Sequence, residues 1–452
     1  MTFSSVKKLE VWRTLGQGGE VPVGVLAQNQ RGVFFQYEQS YLDAYANLSP
    51  FGLEPTAELQ AAPSEPHRGL HGCFADSLPD AWGLLLQNRV FTRHRILPAQ
   101  VTAMDRLALV GYGGTGALAY RPLSDYGNNI TDEFSLHTLG LNAQVLFDER
   151  LKDANGKFCE MAQAPQDVEE HQTESLLTAL AVAGNSGGAR PKVSVFFNGD
   201  DFARCQLRAG GQGQAWLVKF TSQHLPLGHD EGICEAAYLT LAEKAGLAVP
   251  QWRLLPAPSQ AGASHWLALK RFDRMQTDSG EHGRLHLLSA CGLLDADFRS
   301  PSLDYEALIK ASAMLCQSPL AGQIQFRRAI FNLFACNQDD HSKNWAFLQD
   351  DGGNWSLAPF YDVTFSLHPH DGHASSFAGF GKEPPIKAMQ QLAQAADITW
   401  PQAQQVIEEV AGVIAGFAAV AKSLGANPDT ISMIQQQLDA TLQANRHLLA
   451  GN

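Results

Sequence analysis

The sequence predicts an α+β fold in which a β-rich stretch, a mixed stretch and a mainly helical stretch follow one another. Three observations carry this. Short apolar runs broken by Gly-Gly and Asn-Gln-Arg-Gly turns fill Leu9 to about Tyr45, and apolar alternation returns between Val193 and Phe272. Beyond Arg271 almost every apolar pattern has helical spacing. The expected units are residues 1–125, 126–270 and 271–452.

Taken in order, VPVGVLA and GVFFQY read as strands of a small β-unit. FADSLPDAWGLLLQNR, from Phe74 to Arg89, reads as a helix packed on it, with a Pro near its start. Asp76, Asp80 and Trp82 within it read as capping and core residues rather than as a site. A polar Gly/Asn-rich turn at Ser124 to Ile130 marks a boundary. The second unit holds a helix from Glu174 to Ala183, a glycine-rich loop from Gly184 to Lys192, and a hairpin signalled by Asn198-Gly199. The strand AWLVKF carrying Lys219 follows, then the helix EAAYLTLAEKAGL and the strands VPQWRLLP and WLALKRF, which together make a mainly antiparallel sheet. In the last unit YEALIKASAMLCQ, QFRRAIFNLFACNQ, IKAMQQLAQAA and the run from Gln402 to Leu449 read as helices.

At 452 residues and 45% hydrophobic content the chain can bury a large core. Its 33 basic against 46 acidic side chains give a formal charge of -13, which argues against unaided nucleic-acid binding. Seven scattered cysteines without a C-x-x-C spacing fit free thiols in a reducing compartment. No apolar run is long enough for a signal sequence or a membrane span, so a cytoplasmic protein is expected.

The chemistry gathers in FNLFACNQDDHSKNWAFLQDDGGNWSLAPFYDV. An almost wholly apolar helix there delivers two acids, a His, a Lys and an Asn within six residues. Charged groups are too costly to bury unpaired, so this knot should face a cavity or a ligand. Phosphoryl transfer needs a carboxylate to orient or deprotonate a hydroxyl and oxygen ligands to hold Mg²⁺ between phosphates. Asp339 and Asn344 stand five apart, as in the protein-kinase loop, and Asp362 follows a hairpin turn at Gly352-Gly353. Upstream, the glycine loop could offer N–H groups to phosphate oxygens, with Lys192 adding charge. Lys219 sits in an apolar strand, and Glu235 is a plausible ion-pair mate.

These residues resemble the HipA family of bacterial serine/threonine kinases, the toxin halves of toxin–antitoxin pairs. GNSGGARPK, WLVKF, LKRFDR, NQDDHSKN and APFYDV carry the resemblance, which runs over nearly the whole chain. It implies a kinase-like two-lobed fold and a phosphate-binding loop formed by Gly187, Gly188, Ala189, Arg190, Pro191 and Lys192. It implies nucleotide contacts from Lys219, with Glu235 as its partner, an adenine hinge at Lys270, Arg271 and Phe272, and further contacts from His341, Ser342, Lys343, Asn344 and Tyr361. Asp339 is implied as the catalytic base, with Asn344 and Asp362 as Mg²⁺ ligands and ATP bound between the second and third units. Such kinases phosphorylate an aminoacyl-tRNA synthetase, arrest growth, and are neutralised by a helix-turn-helix antitoxin of the HipB type that supplies DNA binding. Where the best-known member autophosphorylates a serine, this chain has Asn185, with Ser186 beside it as the candidate. Lys270 stands where an acidic residue is familiar.

Three other readings stay open. The loop also resembles the D-R-H-x-x-N loop of phosphatidylinositol kinases, so a lipid or small molecule is an alternative acceptor. A kinase-like binding module or corepressor is another. The G-N-S-G-G surround of Ser186 is close to that of trypsin-like proteases, but no matching His surround and no all-β texture accompany it. His368, His370 and His373 have a spacing that can ligate zinc, although a solvent loop is the simpler expectation.

Overall fold

A computed structural model describes residues 3–125, 133–154, 170–184, 187–207, 213–277, 282–300, 302–367 and 372–449. The chain forms two compact units. The first comprises Met1–His229, Leu255–Leu287 and Asp350–Gly353; the second comprises Asp230–Leu254, Leu288–Gln349 and Asn354–Asn452. Helices and strands mix throughout, so the α+β expectation holds. Among the described residues no helix is long and apolar enough to cross a membrane.

In the first unit β1 (Lys8–Thr14), β2 (Glu20–Asn29) and β3 (Gly32–Tyr37) form an antiparallel meander. With β4 (Gln60–Ala61) and β5 (Leu118–Arg121) they make a sheet of order β4-β3-β2-β1-β5. The turns lie where Gly18-Gly19 and the Asn29 to Gly32 stretch predict them, with positive φ at all three glycines. FADSLPDAWG departs from expectation. It is two helices, Gly72–Ala75 and Ala81–Arg93, because Pro79 leaves no N–H to continue the first and its ring clashes with the preceding turn.

The second sheet of this unit has β6 (Glu133–Ser135), β7 (Lys192–Phe197), β8 (Arg204–Gln206), β9 (Gln214–Lys219), β10 (Trp252–Pro256) and β11 (His265–Lys270), ordered β10-β11-β9-β7-β8-β6. One face, with Val193, Val195, Trp216 and Val218, packs on Trp82, Leu86, Leu139 and Leu180 of the helices Ala81–Arg93, Leu136–Ala154 and Glu170–Ala183. Gly140 makes this packing possible, since a Cβ there would lie 2.3 Å from the ring of Trp266. Sequence reading missed the Leu136–Ala154 helix. The Asn198-Gly199 turn is also looser than predicted. The paired registers put Phe196 opposite Gln206, because Asp200 and Asp201 continue the connection rather than the strand.

The second unit is mainly helical. Helix Pro319–Ala335 begins with Pro at its first position and packs against Tyr305–Leu315 and Trp400–Ile414. Ile386–Ala395, Phe417–Ser423 and Pro428–Ala444 complete the set read from the pattern. The strands Ala346–Gln349 and Trp355–Leu357 pair antiparallel, and Trp345 stacks on Phe360 at 5.9 Å.

His286, in the first unit, yields a pH dependence. It is fully buried and bonded through Nε2 to the Leu48 carbonyl at 2.9 Å. Burial, with help from the nearby Arg13 charge, brings its imidazole down to about 3. The folded chain therefore keeps it neutral, whereas an unfolded histidine takes up a proton near pH 6.5. Stability from this group is complete above that pH and is lost below it at about 1.4 kcal/mol per pH unit. Urea midpoints should fall more steeply from pH 7 to pH 5 in the native chain than in His286→Gln.

Candidate functional site

Each unit carries one cluster of the predicted residues. In the second unit, helix Pro319–Ala335 ends at Cys336, whose left-handed φ of 51° turns the chain out of the helix. The Tyr238 hydroxyl donates to the Ala335 carbonyl at 2.7 Å, and the Asn337 amide to the Asn332 carbonyl at 3.1 Å. The orphan carbonyls of the last turn are thereby answered, and the knot that follows starts from a fixed point.

Two adjacent acids then have opposite fates. Asp340 is buried: its carboxylate accepts from the Tyr305 hydroxyl, from His373 Nδ1 at 2.9 Å and from the Ser375 amide at 3.0 Å. Its carbonyl takes the Trp345 indole N–H at 3.0 Å and the Ser375 hydroxyl at 2.5 Å. The side chain of Asp339 is 63% exposed, and the group facing its carboxylate is His341 Nε2, at 3.8 Å. Its backbone is held instead, the amide donating to Ser366 Oγ at 3.1 Å. Of the two acids, Asp339 is the one whose carboxylate is largely exposed.

The other loop residues follow. Asn344 Nδ2 donates to the Asp339 carbonyl at 2.7 Å, which fixes the amide and leaves Oδ1 as its acceptor end. Ser342 is buried and donates to the Ala296 carbonyl at 2.7 Å, while Lys343 Nζ lies 4.4 Å from the centre of the Phe298 ring. Tyr361 donates to the Lys343 carbonyl at 2.8 Å, tying the Phe-Tyr-Asp turn to the loop, and Asp362 next to it has a φ of 56°. A non-glycine residue held there is uncommon. Asn344 Oδ1 and the Asp362 carboxylate are oxygen donors, the kind a hard divalent cation takes. Glu235 lies buried on helix Glu231–Lys244.

His373 corrects an expectation: it is a buried partner of Asp340, not part of an exposed loop. Among the described residues no group of three or more His, Cys, Asp or Glu could hold a metal. His368 and His370 lie outside the described residues.

The first unit carries the glycine loop and both strand lysines. Asn185 and Ser186 lie outside the described residues, which resume at Gly187. Lys192 and Lys219 are opposite each other across β7 and β9, so both side chains emerge on the face turned away from the helices; they are 3% and 5% exposed. Lys192 Nζ donates to the Gly187 carbonyl at 2.6 Å, closing the loop on itself, and the Pro191 carbonyl accepts from the Phe220 amide at 2.9 Å. Gly188 has a φ of 107°, open only to glycine at little cost. Ala189 is exposed and Arg190 half-buried. Lys270 and Phe272 are half-buried at the end of β11, while Arg271 is committed to Asp273 and to Ser194 Oγ, the latter at 3.1 Å.

Reading the sequence missed what holds this loop. Asp80 makes no side-chain cap to its own helix; its Oδ1 accepts from the Gly188 amide. The Trp82 amide donates to the Gly188 carbonyl at 3.2 Å and its indole N–H to the Lys192 carbonyl at 2.9 Å. Capping and core roles are common enough for Asp and Trp that only the short spacing of Pro79, Asp80 and Trp82 hinted otherwise.

Comparisons with known proteins give the family and the fold. Residues 18–121 match the family described as HipA N-terminal domain and residues 184–416 the HipA-like C-terminal domain. Over 237 residues the chain is 27% identical to Y4dM of Sinorhizobium fredii, a protein named as a kinase, covering 50% of this chain and 55% of that one. It is 26% identical over 194 residues to the serine/threonine-protein kinase toxin HipA of Shewanella oneidensis, covering 39% and 42%. The chain thus spans about half the length of the curated relatives it matches. HipA of Shewanella oneidensis MR-1, solved with HipB and operator DNA, has the same fold, with a TM-score of 0.65 at 16% identity over 97% of both chains. With more than half of its length inside the C-terminal match, this chain belongs to the HipA family.

Proposed function

We propose that the chain is a serine/threonine protein kinase of the HipA type, using Mg-ATP. The observation that carries this is the contrast within one dipeptide: Asp340 is consumed by structure, and Asp339 is held by its backbone with its carboxylate outward. In this reading Asp339 accepts the proton of a Ser or Thr hydroxyl as that oxygen bonds to the γ-phosphorus and the bond to the β-phosphate oxygen breaks. Asn344 and Asp362 hold the metal, which when bound draws off charge from the phosphates. Lys219, with Glu235 as its partner, and the loop from Gly187 to Lys192 bind phosphate oxygens. Lys270, Arg271 and Phe272 border the adenine, and His341 to Asn344 with Tyr361 complete the nucleotide contacts.

The partners follow from charge and kinship. A net charge of -13 disfavours direct DNA binding, so a HipB-type antitoxin would bring the chain to its operator. An aminoacyl-tRNA synthetase is the proposed acceptor, and a cytoplasmic location goes with it. Ser186 is the proposed site of autophosphorylation.

Transfer of labelled γ-phosphate to a cell extract and to the chain itself is the direct test. Asp339→Ala should lose roughly a hundred- to ten-thousand-fold in rate with unchanged circular dichroism. Asp362→Asn should lose transfer as well, and retained transfer would remove it from the metal site. Labelling of a lipid extract but of no protein would replace the acceptor class.

The bracket on the loop has its own readout. Asp80→Ala frees the Gly188 amide and loosens the phosphate loop, so KM for ATP should rise several-fold while kcat changes less. Intact mass after incubation with ATP should increase by one phosphoryl group in the native chain and stay unchanged in Ser186→Ala.

A further inference from the structure

A second cluster of charge in the first unit shares one residue, Arg271, with the proposed adenine border and otherwise takes no part in the proposed reaction. Strands β12 (Arg274–Gln276) and β13 (His282–Arg284) pair so that Arg274 stands directly opposite Arg284. Arg271 joins them. Among the described residues the carboxylate paired with this group is Asp273, which is 3% exposed. Asp273 answers Arg271 and Arg274 directly, while Arg284 feels Asp273 and Glu20 through space, and Glu20 is itself paired with Arg121. Positive charge is therefore in excess where water screens it poorly, which is costly. Burial and the neighbouring Arg271 guanidinium lower the affinity of Arg284 for its proton to about 10.

Most of this group has a structural job. Arg271 grips Asp273 through Nε and Nη2, and Arg274 donates to the carbonyls of Gly114 and Gly116, at 2.7 and 2.8 Å. The Gly116 amide returns a bond to Asp273 at 2.7 Å. The loop from Gly114 to Gly116 is stapled in this way. Arg284 differs: the bond described for it is from Nη1 to the Tyr112 carbonyl, at 2.9 Å, so much of its fork is left over.

That remainder borders a cavity of about 390 Å³, a volume in the range of small-molecule sites. The three arginines line it together with Tyr112, Phe196 and Leu123, and the rest of its wall is mostly apolar. Neither Lys192 nor Lys219, nor the described glycines of the phosphate loop, borders it. The geometry points to a binding site for a small organic oxyanion, a carboxylate or phosphate monoester with an apolar body. Its head pairs with Arg284 in the field of Arg271 and Arg274, and its body lies against Tyr112 and Phe196. A planar guanidinium fork suits such a head, and the anion brings the cluster closer to neutrality.

Phenyl phosphate is the probe, titrated calorimetrically into the full chain at low ionic strength, with benzoate as the carboxylate counterpart and benzyl alcohol as the uncharged one. At least one anion should bind at one site per chain, and the alcohol should bind far more weakly. Arg284→Gln should weaken the anion roughly tenfold or more. Leu123→Trp, which keeps all three arginines and narrows the cavity, should weaken it too, and serves if Arg284→Gln does not fold. Both variants should retain labelled-phosphate transfer equal to the native chain's. Absence of saturable binding to the native chain would overturn the site. So would binding that Mg-ATP displaces competitively, or that neither substitution weakens. None of these outcomes touches the kinase reading, which fails only if Asp339→Ala leaves transfer intact.

Discussion

The buried carboxylate of Asp340 is the constraint on which the loop after helix Pro319–Ala335 depends. A carboxylate removed from water must be met by donors or it destabilises the fold by several kcal/mol. Here the donors come from Tyr305, His373 and Ser375, which lie 33 to 35 residues from Asp340 in the sequence, on both sides of it. Tyr305 is in turn bonded by Asn332, and Asn332 by Asn337, so the end of helix Pro319–Ala335 and the loop share one network. Any shift of the loop would break several of these bonds together. Asp339, one residue away, is held through its backbone amide and carbonyl, and its carboxylate stays largely exposed.

The glycine loop is held by the same device with a different purpose. Asp80 supplies an acceptor to a backbone amide, as Asp340 does to Ser375, but the loop it holds begins with residues that have almost no side chain of their own. Gly187, Gly188 and Ala189 have little of their own to pack, so an outside bracket must limit their freedom. Trp82 completes it, its ring in the core and its N–H on the Lys192 carbonyl. Lys192 and Lys219 meanwhile stand opposite each other on neighbouring strands, with the Lys192 ammonium on the Gly187 carbonyl.

Much of this was legible in the sequence, for identifiable reasons. Helices such as Pro319–Ala335 and Trp400–Ile414 were readable because their apolar spacing and starting residues agree. Asp339, Asn344 and Asp362 stood out as a candidate set because their spacing along the chain is itself the signal. Asp80 and His373 were not, since their partners, Gly188 and Asp340, are distant in sequence and nothing local separates a loop-holding Asp from a helix cap or a buried His from an exposed one. The break at Pro79 was misjudged because a proline near a helix start and a proline between two helices leave the same local trace.

Burial is therefore what sorts the acids of this chain. Asp340, Asp80 and Asp273 are each less than a tenth exposed, and each spends its oxygens on backbone amides, hydroxyls or guanidinium groups. Such carboxylates cannot serve as proton acceptors without first giving up the bonds that position the segment around them. Asp339 has no such debt: its structural obligations rest on its amide and carbonyl, through Ser366 and Asn344. A fold that needs a reactive carboxylate at a fixed point gains most by anchoring the backbone and leaving the side chain unbonded, because the donors that would hold the carboxylate would also lower its basicity.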